Sequence, residues 1–292
     1  MPTYSTPDPI SVSMDITMGD IRIAASTRSD TVVEIAPSNI AIEADVRAAE
    51  QTQVEFADGG LRVIGPKRRT VGLKKTGSVD VTLAVPTGSH VEVATSVGAV
   101  HGAGVLGDCR IRTSAGDIRL QGTGRADLRT GIGAIEVDAI AGEAQCTTGS
   151  GSVRIGRIDG RAYVKNSNGD TRLGDVRGDL RIKAANGDIF VDRARADINA
   201  ATANGTIWVG CVERGTVQLK TALGQVDVGI LAGTAARLDV HTSYGAVRSA
   251  LDAAERPLPT DATVDVHVES SCGDIVIRRC LFDESSPVRS RT

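Results

Sequence analysis

The sequence predicts an all-β fold: a parallel β-solenoid (β-helix) of roughly 18-residue, two-strand coils behind a β-rich N-terminal cap. Three observations carry this. One glycine recurs at Gly98, Gly116, Gly133, Gly151, Gly169, Gly187, Gly205, Gly224 and Gly245, at intervals of 18, 17, 18, 18, 18, 18, 19 and 21 residues. A steady period of this size marks a repeat whose units bury their apolar faces against one another. Next, apolar residues stand two and four places after that glycine, as in Ile118 and Leu120, Ile135 and Val137, or Ile189 and Val191, with Thr171 the exception. Alternation with period two is one face of a strand. Finally, threonine recurs three places before the glycine, at Thr95, Thr113, Thr130, Thr148, Thr202, Thr221 and Thr242.

A second glycine falls nine residues before the next main one, at Gly107, Gly124, Gly142, Gly160, Gly178 and Gly215. The same spacing follows it, in Cys109 and Ile111 or Leu180 and Ile182. Each coil therefore carries two strands and two glycine-marked corners. Asn-Gly at 168–169, 186–187 and 204–205 is also a hairpin signal, so an antiparallel meander competes. The repeat is 18 rather than nine, because the two halves of a coil differ. Stacked coils would set the threonines in a ladder about 4.8 Å apart, where hydroxyls satisfy buried backbone groups. A meander gives no reason for that rule.

In chain order, residues 1–95 read as a β-rich cap that merges into the coils. It holds an isolated early glycine copy, Gly19, and one or two helical turns around Ala44–Gln51. Residues 96–250 are the regular coils. Residues 251–284 form a C-terminal cap, with a short helix, a proline loop and a final strand pattern in VDVHVESSCGDIVIRR. Residues 285–292 are polar and are expected to be a disordered tail.

Composition narrows the function classes. The net charge of −3 argues against general nucleic-acid binding and against a polyanionic tail. Only seven aromatic residues are present, so the core must be Val, Ile, Leu, Ala and Thr. The N-terminal stretch lacks a signal-peptide pattern, and no apolar run approaches a membrane span of about 20 residues. The five cysteines, Cys109, Cys146, Cys211, Cys272 and Cys280, match no zinc spacing. Cys109 and Cys146 fall on inward positions, and Cys211 and Cys272 at corners. A reducing cytoplasm is the expected location.

No motif for catalysis stands out. Asp follows the main glycine at Asp117, Asp170, Asp188 and Asp274, but a calcium site needs about 6–8 oxygen ligands. These aspartates read as turn residues, and no metal or cofactor is expected. His90, His101, His241 and His267 are scattered, with no nucleophile motif. No long loop interrupts residues 98–245 to build a cleft for polysaccharide cleavage. Two surface features remain. Lys67, Arg68, Arg69, Lys74 and Lys75 cluster within nine residues and suit anionic lipid headgroups, or simply a solvated loop. Phe190 and Trp208 each lie three places after a main glycine, so both should point outward, side by side on adjacent strands. They suit either cross-strand stabilisation or a contact patch.

The units NSNGDTRLG, AANGDIFVD and TANGTIWVG resemble a widespread bacterial family of β-strand-repeat proteins known as "putative adhesins". The MPT…TPDPI start looks most like actinobacterial members, and the preference for Arg over Lys, 27 against 6, suits that origin. The resemblance covers nearly the whole chain. It implies a right-handed solenoid and a non-enzymatic role, with some relatives tied to the envelope or its stress responses. The expected function is a cytoplasmic scaffold or protein-interaction platform, acting on a protein partner or by self-association. A peripheral protein on anionic membrane, or a carbohydrate-binding or carbohydrate-cleaving β-helix, is the alternative.

Overall fold

The computed structural model describes residues 2–66, 77–251 and 263–281, and the chain divides into two compact units, Met1–Ser150 and Gly151–Thr292. The 67–75 cation cluster, most of the 251–262 loop and the 285–292 tail lie outside the described residues.

The first unit contains β1 (Thr3–Ser5), β2 (Ser11–Met18), β3 (Ile21–Ser26), β4 (Asp30–Pro37), helix α1 (Glu43–Gln51), β5 (Gln53–Ala57), β6 (Gly60–Ile64) and β7 (Val79–Pro86). The coils follow as β8 (His90–Val97), β9 (Val100–Val105), β10 (Cys109–Ala115), β11 (Ile118–Thr123), β12 (Ala126–Ile132), β13 (Ile135–Ile140) and β14 (Ala144–Ser150). One sheet of the unit runs β1-β4-β7-β3-β9-β11-β13 and the other β14-β12-β10-β8-β2-β6-β5. Strands one coil apart pair in parallel, Ile111 opposite Leu128 and Thr113 opposite Thr130. This is the solenoid register. The inward alternation is realised in full: Ile111, Ile118, Leu128 and Ile135 are completely buried.

The corner explains both repeated residue types. Gly116 has φ 152°, and a Cβ there would land on the carbonyl of Gly98 one coil away. Glycine is required by both the dihedral and the close approach. The N–H of Gly116 donates to the Ile132 carbonyl of the next coil, at 2.8 Å. Its own carbonyl turns inward and accepts from the Thr130 hydroxyl at 2.9 Å. Thr148 does the same for Gly133 at 3.0 Å. The corner aspartates are turn residues that tie one coil to the next, as when Asp117 Oδ1 accepts the backbone N–H of Ala134 at 2.9 Å.

Gly19 is not an isolated copy of the repeat. Strands β2 and β3 form a regular coil that pairs in parallel with β8 and β9, residue Val12 opposite Val91 and Ile21 opposite Val100. Asp20 Oδ1 accepts the Ala99 N–H at 3.0 Å, just as the later corner aspartates do. Strands β6 and β7 stack on the far side of that coil. Antiparallel β5, β4 and β1 then close the free edges, which would otherwise invite strand addition. Helix α1 spans nine residues, two and a half turns.

The second unit contains β15 (Val153–Ile158), β16 (Ala162–Asn168), β17 (Thr171–Val176), β18 (Leu180–Asn186), β19 (Ile189–Ala194), β20 (Ile198–Asn204) and β21 (Ile207–Val212). It continues with β22 (Gly215–Leu223), β23 (Val226–Leu231), β24 (Ala235–Tyr244), β25 (Val247–Ser249), β26 (Thr263–Cys272) and β27 (Ile275–Cys280). Its sheets run β15-β17-β19-β21-β23-β27-β25 and β16-β18-β20-β22-β26-β24. Spatial order departs from chain order here. The last coil, β26 and β27, inserts between the two coils that precede it in the chain. Burial explains the choice: Val264, Val266 and Val268 are at most 1% exposed, whereas Leu238 in the outer strand β24 is 38% exposed.

Cys211 and Cys280 form a disulfide that joins β21 to β27 across β23. Cys211 is a buried strand residue rather than a corner residue: it pairs with Arg193 on β19 and sits at the register shift between Val209 and Val212 on the β23 side. Cys109 and Cys146 are buried free thiols and Cys272 is exposed. Burial pushes the Cys109 thiol up to about 11 and the Cys146 thiol up to about 12. No described helix is long and apolar enough to cross a membrane.

Candidate functional site

The aromatic pair sits where the repeat requires. Phe190 on β19 and Trp208 on β21 are direct parallel neighbours, flanked by inward Ile189, Val191, Ile207 and Val209, all fully buried. Both rings face outward and are half-buried. What shields them is cationic. The Arg172 guanidinium lies 4.9 Å from the Phe190 ring centre, and that of Arg278 lies 5.7 Å from the Trp208 ring centre. Both distances are in cation–π range. Arg278 is held by Asp227, Nε to Oδ1 2.8 Å, and Asp227 is itself the strand neighbour of Trp208. Arg172 reaches Asp170 at 3.4 Å.

The floor beside the rings is glycine. A Cβ at Gly210 would meet the Trp208 ring at 2.8 Å, and one at Gly229 would meet the Arg278 guanidinium at 3.1 Å. Either Cβ would strike a backbone carbonyl first, that of Asp192 for Gly210 and that of Gly210 for Gly229, so close backbone approach requires the glycines, and the indole and the guanidinium occupy the space they leave. Gly156 and Gly174 occupy the same place in earlier coils of the unit, and Asp192 interrupts the row. Partial burial pushes the Asp192 carboxyl above the usual range. The result is a flat patch of two rings, two guanidinium groups and a carboxylate. These groups offer apolar, cation–π and ion-pair contacts. Sequence reasoning found the rings but missed the glycine floor. Its signal was the spacing Trp208–Gly210, two residues apart on one face.

A second concavity lies in the first unit, a cavity of about 640 Å³ over β2, β6, β8, β10 and β12. Ser13, Arg62, Glu92, Arg110 and Asp127 line it. Its charges are largely matched, since Arg110 approaches both Glu92 and Asp127 at 3.7 Å. The chain pairs β2 with β8 only through the tertiary register, so this groove has no local signature. Outward cations on the second strands of the coils are paired with acids, Arg129 with Asp127 at 2.9 Å and Lys220 with Glu269. The described residues contain no cluster of metal-ligating side chains.

The Toastrack DUF4097 family model matches residues 21–278. Among solved structures, a "putative adhesin" from Bacteroides fragilis is 14% identical, with TM-score 0.37, covering 96% of this chain and 95% of its own. A "putative adhesin" from Parabacteroides distasonis is 12% identical, with TM-score 0.39, covering 94% and 95%. A "putative cell adhesion protein" from Clostridium sporogenes is 11% identical, with TM-score 0.20, covering 96% and 98%. No curated protein matches the chain.

Proposed function

We propose that this chain, which belongs to the Toastrack DUF4097 family, is a non-enzymatic interaction platform whose partner docks on the Phe190–Trp208 face. One observation carries the reading: two of the seven aromatic residues are neighbours on a glycine-floored surface, each against an arginine. Trp and Arg anchor interfaces because they combine large apolar area with directed polar contact. Cross-strand stabilisation, about 0.2–1 kcal/mol, is the competing account of the pair.

The test is the double change Phe190→Thr, Trp208→Thr, which keeps good strand formers. In-cell photo-crosslinking from position 172 should lose its captured partner, while the melting temperature moves by only a few degrees. Retained capture together with a large fall in stability would make the rings structural.

A cytoplasmic location enters this reading as a proposal, and the Cys211–Cys280 bond supplies its test. Disulfides persist in oxidising compartments. Thiol trapping in intact cells should find the pair reduced if the chain is cytoplasmic, and bonded if it is exported. Recruitment to anionic membrane through Lys67, Arg68, Arg69, Lys74 and Lys75 is the second proposal to carry forward. Changing all five to Gln should abolish binding to anionic vesicles at low salt.

A further inference from the structure

The outer coil of the second unit is unfinished. Strand β24 has a single strand neighbour among the described residues, β26, and β25 has only β27. Residues on its inward face, buried elsewhere in the unit, are open here: Leu238 is 38% and Val247 49% exposed, while the equivalent Leu180 is 2%. The backbone is open too. Within the unit, inward residues donate to the next coil, as Leu180 N–H does to the Asp197 carbonyl at 2.8 Å. By the same alternation, Ala236, Leu238 and Val240 turn their N–H and C=O groups to the free side. The first unit closes its corresponding edges with antiparallel strands β5, β4 and β1. Nothing described does this for β24.

We propose that a second copy of this chain covers β24, through antiparallel pairing of β24 with itself about a two-fold axis at Leu238. The strand is self-complementary in that register. Leu238 meets Leu238 of the other copy, and Ala236 meets Val240, each pair exchanging the free backbone bonds and continuing the apolar interior. Arg237 falls opposite Asp239, twice, on the outer surface. Arg237 and Asp239 are both exposed; among the described residues Arg237 reaches Asp265 at 4.0 Å and Asp239 reaches His267 at 3.3 Å. An isologous contact closes on itself, so the edge is consumed rather than propagated into a fibre. This surface is separate from the aromatic face and does not depend on it.

The test uses the full chain with Cys272→Ser, which removes the exposed thiol. Sedimentation should show a dimer, and Leu238→Asp should raise its dissociation constant roughly a hundredfold or more by burying two unpaired carboxylates. Directly opposed residues of the non-hydrogen-bonded kind have Cα atoms about 4.5 Å apart, within disulfide reach. R237C/D239C should therefore oxidise to a covalent dimer, and neither single change should. That cross-link needs no core variant to fold. A protein that stays monomeric at every concentration overturns the proposal, and means the chain's own 252–262 segment covers the edge or nothing does. A dimer that survives Leu238→Asp, or that R237C/D239C fails to trap, overturns it equally, because the contact then lies elsewhere.

Discussion

At the residue scale, the corner carbonyls are where a single hydroxyl decides whether a buried polar group is satisfied. Main glycines turn a carbonyl inward, and a polar side chain satisfies it, a threonine one coil on in most coils: Thr202 for Gly187 at 3.3 Å, Thr221 for Gly205 at 3.0 Å, with Asn166 taking that place for Gly151 at 3.0 Å. Thr130→Val keeps the shape and orphans the Gly116 carbonyl, so it should cost about 1–3 kcal/mol in denaturant unfolding. Thr171 is the opposite case. It is fully buried between Val153 and Ile189, and its hydroxyl has no hydrogen-bond partner among the described residues. Thr171→Val should stabilise the protein by about 1 kcal/mol, read by the same titration. Both residues were visible in the sequence, Thr130 as one of a series and Thr171 as the exception to another. Only the structure shows that the first hydroxyl is used and the second is not.

At the element scale, the strand faces are the best-determined feature. Ile135 is fully buried, while its neighbour Glu136 reaches out to Arg119 at 2.9 Å. Ile135→Asp should cost several kcal/mol and Glu136→Asp almost nothing. Equal losses would mean that the face assignment is wrong. Period-two alternation makes this legible, since no partner strand needs to be known. The disulfide was not legible, because a sequence separation of 69 hides a spatial separation of two strands. Closing a loop of that length is worth up to about 4 kcal/mol on chain-entropy grounds. Reduction should lower stability by about 2–4 kcal/mol. Native protein should show one fast-reacting thiol, Cys272, since burial keeps Cys109 and Cys146 protonated at neutral pH. The raised thiols also give a sign. Above about pH 9 the unfolded chain releases thiol protons that the folded chain keeps, so their contribution to stability falls as pH rises towards 11–12.

At the scale of the whole molecule, chain order and stacking order differ at both termini. The coil of β2 and β3 waits for β8 and β9, some 80 residues later, and among the described residues the coil of β24 and β25 pairs with β26 and β27 alone. Truncation after residue 251 should therefore release two coils, not one. Hydrogen exchange should lose protection over 235–249 as well as the deleted strands, whereas a stack in chain order would leave 235–249 protected. Such long-range closures also slow folding, because their loop entropy is spent before any contact rewards it.

What the sequence by itself determined is everything with a local period: the two-strand coil, the inward faces, the glycine corners, the threonine series, and the outward placement of Phe190 and Trp208. Periodicity is a property of neighbouring residues, and the parallel stacking of identical units converts it directly into ladders. The tertiary structure alone decided what depends on comparing distant alternatives. Every coil presents a similar edge, so sequence cannot say which edge meets which. Burial settles it: the three valines of β26 take the inner place and β24 the outer one. The same competition places Cys280 beside Cys211, lays Arg278 over Trp208, and leaves Leu238 at an open edge.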